Sequence, residues 1–438
     1  MPRDKSKMGL WMSTALVAGN MIGAGVFLMP ATLAVYGGIG LMGWVFSAIG
    51  AIFIAKVFSA LSKFLPGANG GPYVYTRHGF GDFAGFLIAW GYWISAWTAN
   101  AAIAVSLVGA LSDFFPVLAS NPVAAILTGL SAIWILTWLN TKGIIASGKM
   151  QIITTALKII PLLIVGIGGL FFIHAQNFVP FNISSSNNFT AITAAGALTM
   201  YAFTGLECGT VPAASVEKPE KIIPRATMLG TIVVMIIYVL GSFSVMGIVA
   251  AKDLQNSVTP FADAGKVIFG QSAHYWISAG VAIASFGCLN GWILIQGQVP
   301  YAIAKDKLFP SVFGKENKYG APAAAIIISS ILVSLLMMMN YTKGLVEQFK
   351  FLILLSSIST LVPYLFCAAS YIILGINKNY FTKKNFPSAV IVAMLAFAFS
   401  LWAIAGSGTD TVFWGFILLM ASIPFYTIFY LQKNKRNN

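Results

Sequence analysis

Two ionisable residues stand in stretches that are otherwise apolar, Lys158 in TALKIIPLL and Glu207 in TGLECGT. A charge at mid-membrane depth costs about 2.5–3.5 kcal/mol on insertion scales, so such residues are functional candidates by default. A desolvated lysine can have its pKa lowered far enough to release a proton. A buried carboxylate can sense protons or close a gate. Each also has a structural reading. Lys158 can pin its helix to backbone carbonyls or snorkel to the interface, and Glu207 can simply tie helices together.

The third chemical feature is backbone. Gly23-Ala24-Gly25 interrupts the apolar run NMIGAGVFLMP, and each glycine weakens a helix by about 1 kcal/mol relative to alanine. A second run, Met200–Ala214, carries Gly205, Gly209 and Pro212 beside Glu207. Non-helical backbone at membrane depth is tolerated only where protein buries it or it lines a cavity. A half-helix starting near Gly25 aims N–H groups and a positive dipole end into such a cavity, which suits a carboxylate. A half-helix ending near Thr204 offers carbonyls, which suit an ammonium. Together they form a receptor for a zwitterion, which points to an amino acid. Close packing of small residues is the alternative for the first break taken alone.

The elements that position these residues are membrane spans. The chain is 58% hydrophobic and 9% charged, against about 25% charged in soluble domains. Apolar segments long enough to cross a bilayer begin with Met8–Tyr36, Leu41–Ser62, Phe83–Phe115, Pro122–Thr141, Met150–Ile173 and Phe189–Ala213. They continue with Ile222–Val249, His274–Ala304, Ala323–Met339, Gln348–Leu374, Pro387–Ala405 and Val412–Leu431. The reading is an all-α integral membrane protein of 12 spans forming one transporter domain over residues 1–438. Spans 1 and 6 are the broken ones. Their matching positions predict inverted five-helix repeats at 8–173 and 189–374, followed by two further helices at 387–431.

With the N-terminus in the cytoplasm, every Lys and Arg falls inside except Lys158, Lys252, Lys266, Lys343 and Lys350. That asymmetry predicts cytoplasmic N- and C-termini. It also assigns the net charge of +14 to loops facing anionic membrane lipid, and nucleic acid is not expected as a partner. Cys208, Cys288 and Cys367 fall inside spans, so no structural disulfide is expected. The three histidines lack metal-ligand spacing. No phosphate loop, nucleophile motif or triad occurs. Neither enzyme chemistry, nor a metal, nor a cofactor is expected.

At the two breaks the chain resembles the amino acid–polyamine–organocation superfamily. Within it, the chain resembles bacterial arginine/agmatine and other basic amino acid or polyamine antiporters. The matching stretches are GNMIGAGVFLMP, the loop PGANGGPYVYTRHGFG, GYWISAWTAN, GLE with VEKPEKIIPRA, GWILIQGQ with AKDKLFP, and STLVPYL. The resemblance implies a LeuT-type fold in a bacterial inner membrane, with substrate between spans 1, 3, 6, 8 and 10. It matches Asn20, Met21, Ile22, Gly23 and Gly25 to the unwound segment and Asn100 to a polar substrate contact. It matches Trp292 to the middle gate and Tyr92, Glu207 and Tyr364 to the trio closing the cytoplasmic side. Ser356 and Ser357 lie near a substrate-contacting serine.

Three departures stand out. Ala24 replaces a serine of the arginine/agmatine antiporters, and Tyr201 replaces a tryptophan. Lys158 is the third, shared with amino acid permeases that carry a lysine where sodium-driven relatives hold sodium. The site is therefore expected to comprise Asn20–Gly25, Asn100, Tyr201, Ala202, Phe203, Thr204, Gly205, Trp292, Ser356 and Ser357. Tyr92, Glu207, Tyr364 and Lys158 are expected to gate or couple to protons. The expected activity is sodium-independent secondary transport of an amino acid or amine by alternating access, as an antiporter for cationic substrates. A permease for neutral amino acids, a channel and a transport-related nutrient receptor are the alternatives. A homodimer is raised by the resemblance alone.

Overall fold

A computed structural model of the chain describes residues 7–23, 25–257, 259–339 and 345–435; within 345–355 and 432–435, and at 357, 358, 410 and 411, it describes the backbone only. The described residues are helical, and the one extended contact is an isolated bridge between Met8 and Val216. Among the described residues, ten helical segments are long and apolar enough to cross a membrane. The chain is thus a multi-pass helical membrane protein.

The first segment is two helices, α1 (Leu10–Met21) and α2 (Gly25–Ala34), separated at Ile22 and Gly23. Then come α3 (Gly40–Phe64), α4 (Pro72–Ser112), α5 (Pro122–Thr141) and α6 (Ile144–Gly168). The next helix, α7 (Asn188–Tyr201), has only 14 residues. It is followed by α8 (Pro219–Ile248), α9 (Ala273–Lys305), α10 (Ala323–Met339) and α11 (Leu345–Asn377). The chain ends with α12 (Phe386–Gly406), α13 (Thr409–Met420) and α14 (Ser422–Lys435). Two of the segments read from sequence as spans are not among the ten. One is Ala323–Met339, apolar but only 17 residues. The other is Phe189–Ala213, where α-helix stops at Tyr201 and gives way to turns and the 3-10 pieces Cys208–Thr210 and Ala213–Ser215.

Local chemistry accounts for that stop. Gly205 has φ 104°, a left-handed conformation that L side chains rarely adopt. Pro212, further on, has no N–H to continue a helix. The stretch read as the loop PGANGGPYVYTRHGFG is a loop only as far as Gly71. Helix begins at Pro72, a favoured first helical position, and runs into α4 through a kink at Gly81, φ 87°. The arm before the kink carries Arg77, which pairs with Asp306.

At the centre, α4 packs against α9 and α11, and α1 is held between α6, α8 and α9. The outer helices α12 and α13 turn Met394 and Trp414 outward, 64% and 60% exposed, as expected of side chains facing lipid. The interior contains Lys158 and Glu207, both fully buried.

Candidate functional site

A helix leaves its last carbonyls without intrahelical partners, and α1 ends inside the protein, where water cannot serve them. The Ala18 oxygen accepts from Ile22 N–H at 2.9 Å. The Gly19 and Ile22 oxygens each accept from Lys158 Nζ at 2.6 Å. The Asn20 oxygen accepts from Trp292 Nε1 at 3.2 Å and Cys288 Sγ at 3.3 Å. The Met21 oxygen accepts from Tyr238 O–H at 2.7 Å and Gly23 N–H at 3.0 Å. Every freed carbonyl at this break therefore has a donor, and most of those donors are side chains of α6, α8 and α9. Across the break, the N–H groups of Gly25 and Phe27 meet no acceptor among the described residues.

The second break is organised differently. Phe203 and Thr204 N–H bond back to Met200 and Tyr201 oxygens at 2.9 and 3.1 Å. The oxygens of Ala202, Phe203 and Thr204 accept no hydrogen bond from any described residue. Gly205 N–H is drawn to Glu207 Oε2 at 3.1 Å, so the turn folds onto the carboxylate that follows it.

Between the breaks lies a cavity of about 50 Å³, space for a few water molecules. Of the residues read from sequence, Asn20, Met21, Gly23 and Gly25 line it from the first break, Tyr201, Ala202 and Thr204 from the second, with Trp292 and Ser356. Ile22, Phe203 and Gly205 stand behind the wall. Asn100 does not line it either: its Nδ2 donates to Gln296 Oε1 at 2.8 Å, and Gln296 in turn donates to Ser330. The α4 wall is instead Ala99, Ala102, Ile103 and Ser106. One residue along a helix turns the side chain by about 100°, which separates Asn100 from Ala99. Ala24 lies outside the described residues, and so does the side chain of Ser357.

Sequence reasoning missed Ser106, Cys288 and Thr360, which also line the cavity. Small polar side chains in apolar helices carry no signal until the fold places them.

Near the cavity three buried groups bond one another. Glu207 Oε1 accepts from Tyr92 O–H at 2.6 Å, and Oε2 accepts from Tyr364 O–H. The Tyr92 ring lies 6.4 Å from that of Trp292, a residue that lines the cavity. Beyond them, Arg77 on the α4 arm bonds Asp82 Oδ1 and Asp306 Oδ2, each at 2.7 Å. Tyr73 O–H donates to the same Asp306 oxygen at 2.7 Å. Two stretches quoted for the family resemblance, around Arg77 and Asp306, thus meet in one ion-paired cluster that the sequence alone does not connect. By contrast, Tyr201, Thr204 and Ser106 are only half-buried.

The arrangement has no acid–base pair placed around a reacting atom and no metal-ligand cluster among the described residues. The amino acid permease family matches residues 8–428. The chain is 30% identical to an arginine/agmatine antiporter of Chlamydia pneumoniae, over 97% of this chain and 90% of that protein. It is 31% identical to a cadaverine/lysine antiporter of Escherichia coli, over 96% and 94%. With an arginine/ornithine antiporter of Pseudomonas aeruginosa it shares 30% identity over 92% and 87%. These relatives are transporters and not enzymes, and the chain belongs to the amino acid permease family.

Proposed function

We propose that the chain is a secondary active transporter that exchanges cationic amino acids and amines by alternating access, without sodium. The observation that carries this reading is the contrast between the two breaks. At the end of α7 the unpaired carbonyls of the cavity-lining Ala202 and Thr204 are free to receive an ammonium, and the start of α2 offers N–H groups to a carboxylate. Lys158 already bonds the carbonyls at the end of α1, so its ammonium serves where a metal cation would otherwise be needed. Trp292 and Tyr201 supply ring faces for a cationic side chain, and Ser356 adds a hydroxyl. Glu207, Tyr92 and Tyr364 close the cytoplasmic side.

The reading includes 12 spans of LeuT type in a bacterial inner membrane, with both termini cytoplasmic. Residues 8–173 and 189–374 are its two five-helix repeats, and 387–431 adds two helices. The first span of each repeat is the one interrupted, and the lopsided lysines and arginines favour the orientation. The relatives named as arginine, lysine and ornithine antiporters favour cationic cargo. A neutral amino acid is the second reading, because no Asp or Glu occurs among the described residues lining the cavity.

The test is counterflow in proteoliposomes loaded with arginine, lysine, agmatine, cadaverine or a neutral amino acid, in sodium or choline. Saturable exchange, strongest for a cationic pair and equal in both salts, is the expected result. Absence of exchange for every amino acid and amine, or strict sodium dependence, overturns the proposal.

A further inference from the structure

Asn20 borders the cavity, is 3% exposed, and has no hydrogen-bond partner for either Oδ1 or Nδ2. Its backbone is fixed by Trp292 and Cys288, so only its side chain can turn. The carboxamide fills the niche left by Gly291: a Cβ there would lie 1.7 Å from Asn20 Oδ1. The same point is 3.2 Å from Gln151 Nε2, which is also buried and without a partner. Two unsatisfied amides thus converge on one spot, and unpaired buried amides are costly enough to be rare.

The polarity of Gln151 is fixed by what stands behind it. Asn140 Nδ2 donates to the Leu136 carbonyl at 2.9 Å and to Asn290 Oδ1 at 3.1 Å. Asn290 Nδ2 donates to the Ser147 carbonyl at 3.1 Å and to Gln151 Oε1 at 2.9 Å. Backbone carbonyls only accept, so neither asparagine can be flipped, and Gln151 must present its NH2 group toward Asn20. Three amides from α5, α9 and α6 are therefore ordered head to tail, ending in a donor.

We infer that this relay selects for a carboxylate. The two groups do not bond as they stand; a rotation of the Asn20 side chain lets Gln151 donate to Asn20 Oδ1 and turns Asn20 Nδ2 toward the cavity as a donor. A donor favours a substrate bearing a carboxylate over one that has lost it, so Gln151 is a positioning residue that sets the preference for an amino acid over its decarboxylated amine. The inference rests on the transport reading and deepens it.

The test uses counterflow by the full-length protein with arginine, lysine and leucine, each competed by its own decarboxylated amine. Gln151→Glu puts an acceptor where the donor was and turns Asn20 around; Gln151→Met removes the donor at similar volume. Both variants are expected to shift the amino acid to amine ratio of apparent KM toward the amine, Gln151→Glu by about tenfold and Gln151→Met by less. Thermal melting of both variants separates this from unfolding, and restored preference is not expected from Gln151→Met. Exchange by both variants at the wild-type ratio overturns the inference alone. No exchange by the wild type overturns the transport reading and the inference with it.

Discussion

The two broken spans use the same weakness in the sequence and finish it in opposite ways. At the end of α1 all the freed carbonyls are occupied, by Lys158, Trp292, Cys288, Tyr238 and two backbone N–H groups. At the end of α7, Ala202, Phe203 and Thr204 oxygens receive nothing from the described residues. The first break is a fixed frame, and the second leaves its carbonyls unpaired among the described residues. Glycine and proline decide that a helix breaks. The side chains brought by neighbouring helices decide whether the break is available to a ligand.

The difference can be broken most severely at Lys158. Lys158→Met leaves the Gly19 and Ile22 carbonyls buried without donors, at about 1–3 kcal/mol for each. We expect exchange to fall below detection and the melting temperature to drop, measured by counterflow and by thermal unfolding in detergent. Next comes Glu207→Gln. An amide places an NH2 group against Tyr92 or Tyr364, both of which already donate, so the seal loosens. Cysteine accessibility from the cytoplasmic side is expected to rise, with exchange reduced about tenfold or more. A smaller effect is expected for Trp292→Phe, because Cys288 still serves the Asn20 oxygen. Cationic substrates should lose about 0.5–2 kcal/mol of binding, read as a rise in KM larger for lysine than for leucine. The smallest is Tyr238→Phe, which removes one of two donors to Met21 oxygen. A stability loss of about 1 kcal/mol with near-normal KM is the expected outcome.

Much of the frame was legible in the sequence because it rests on composition and on glycine and proline inside apolar runs. The breaks at Gly23-Ala24-Gly25 and near Gly205 are such features. What was not legible depends on rotation and on distant partners. Asn100 and Ala99 are neighbours in sequence but face different helices, and only packing shows that Ala99 lines the cavity while Asn100 bonds Gln296. The helix from Pro72 was hidden among glycines that read as a loop. The pairing of Lys158 with the carbonyls of α1 was one of several structural readings of a buried lysine, and the geometry selects it. The Asn140–Asn290–Gln151 relay joins residues on three helices, and no local pattern announces it. The Tyr92–Glu207–Tyr364 trio came from family resemblance alone, since nothing in its spacing links the three.

In the proposed transporter the open carbonyls after α7 hold the ammonium common to an amino acid and its decarboxylated amine. Counterflow of lysine, its Nα-acetyl derivative and its methyl ester, measured side by side in proteoliposomes, tests it most directly. Acetylation should abolish exchange, because the capped nitrogen can no longer present an ammonium to those carbonyls, while the ester should retain partial exchange. Equal exchange of the acetylated and free amino acid would contradict the account.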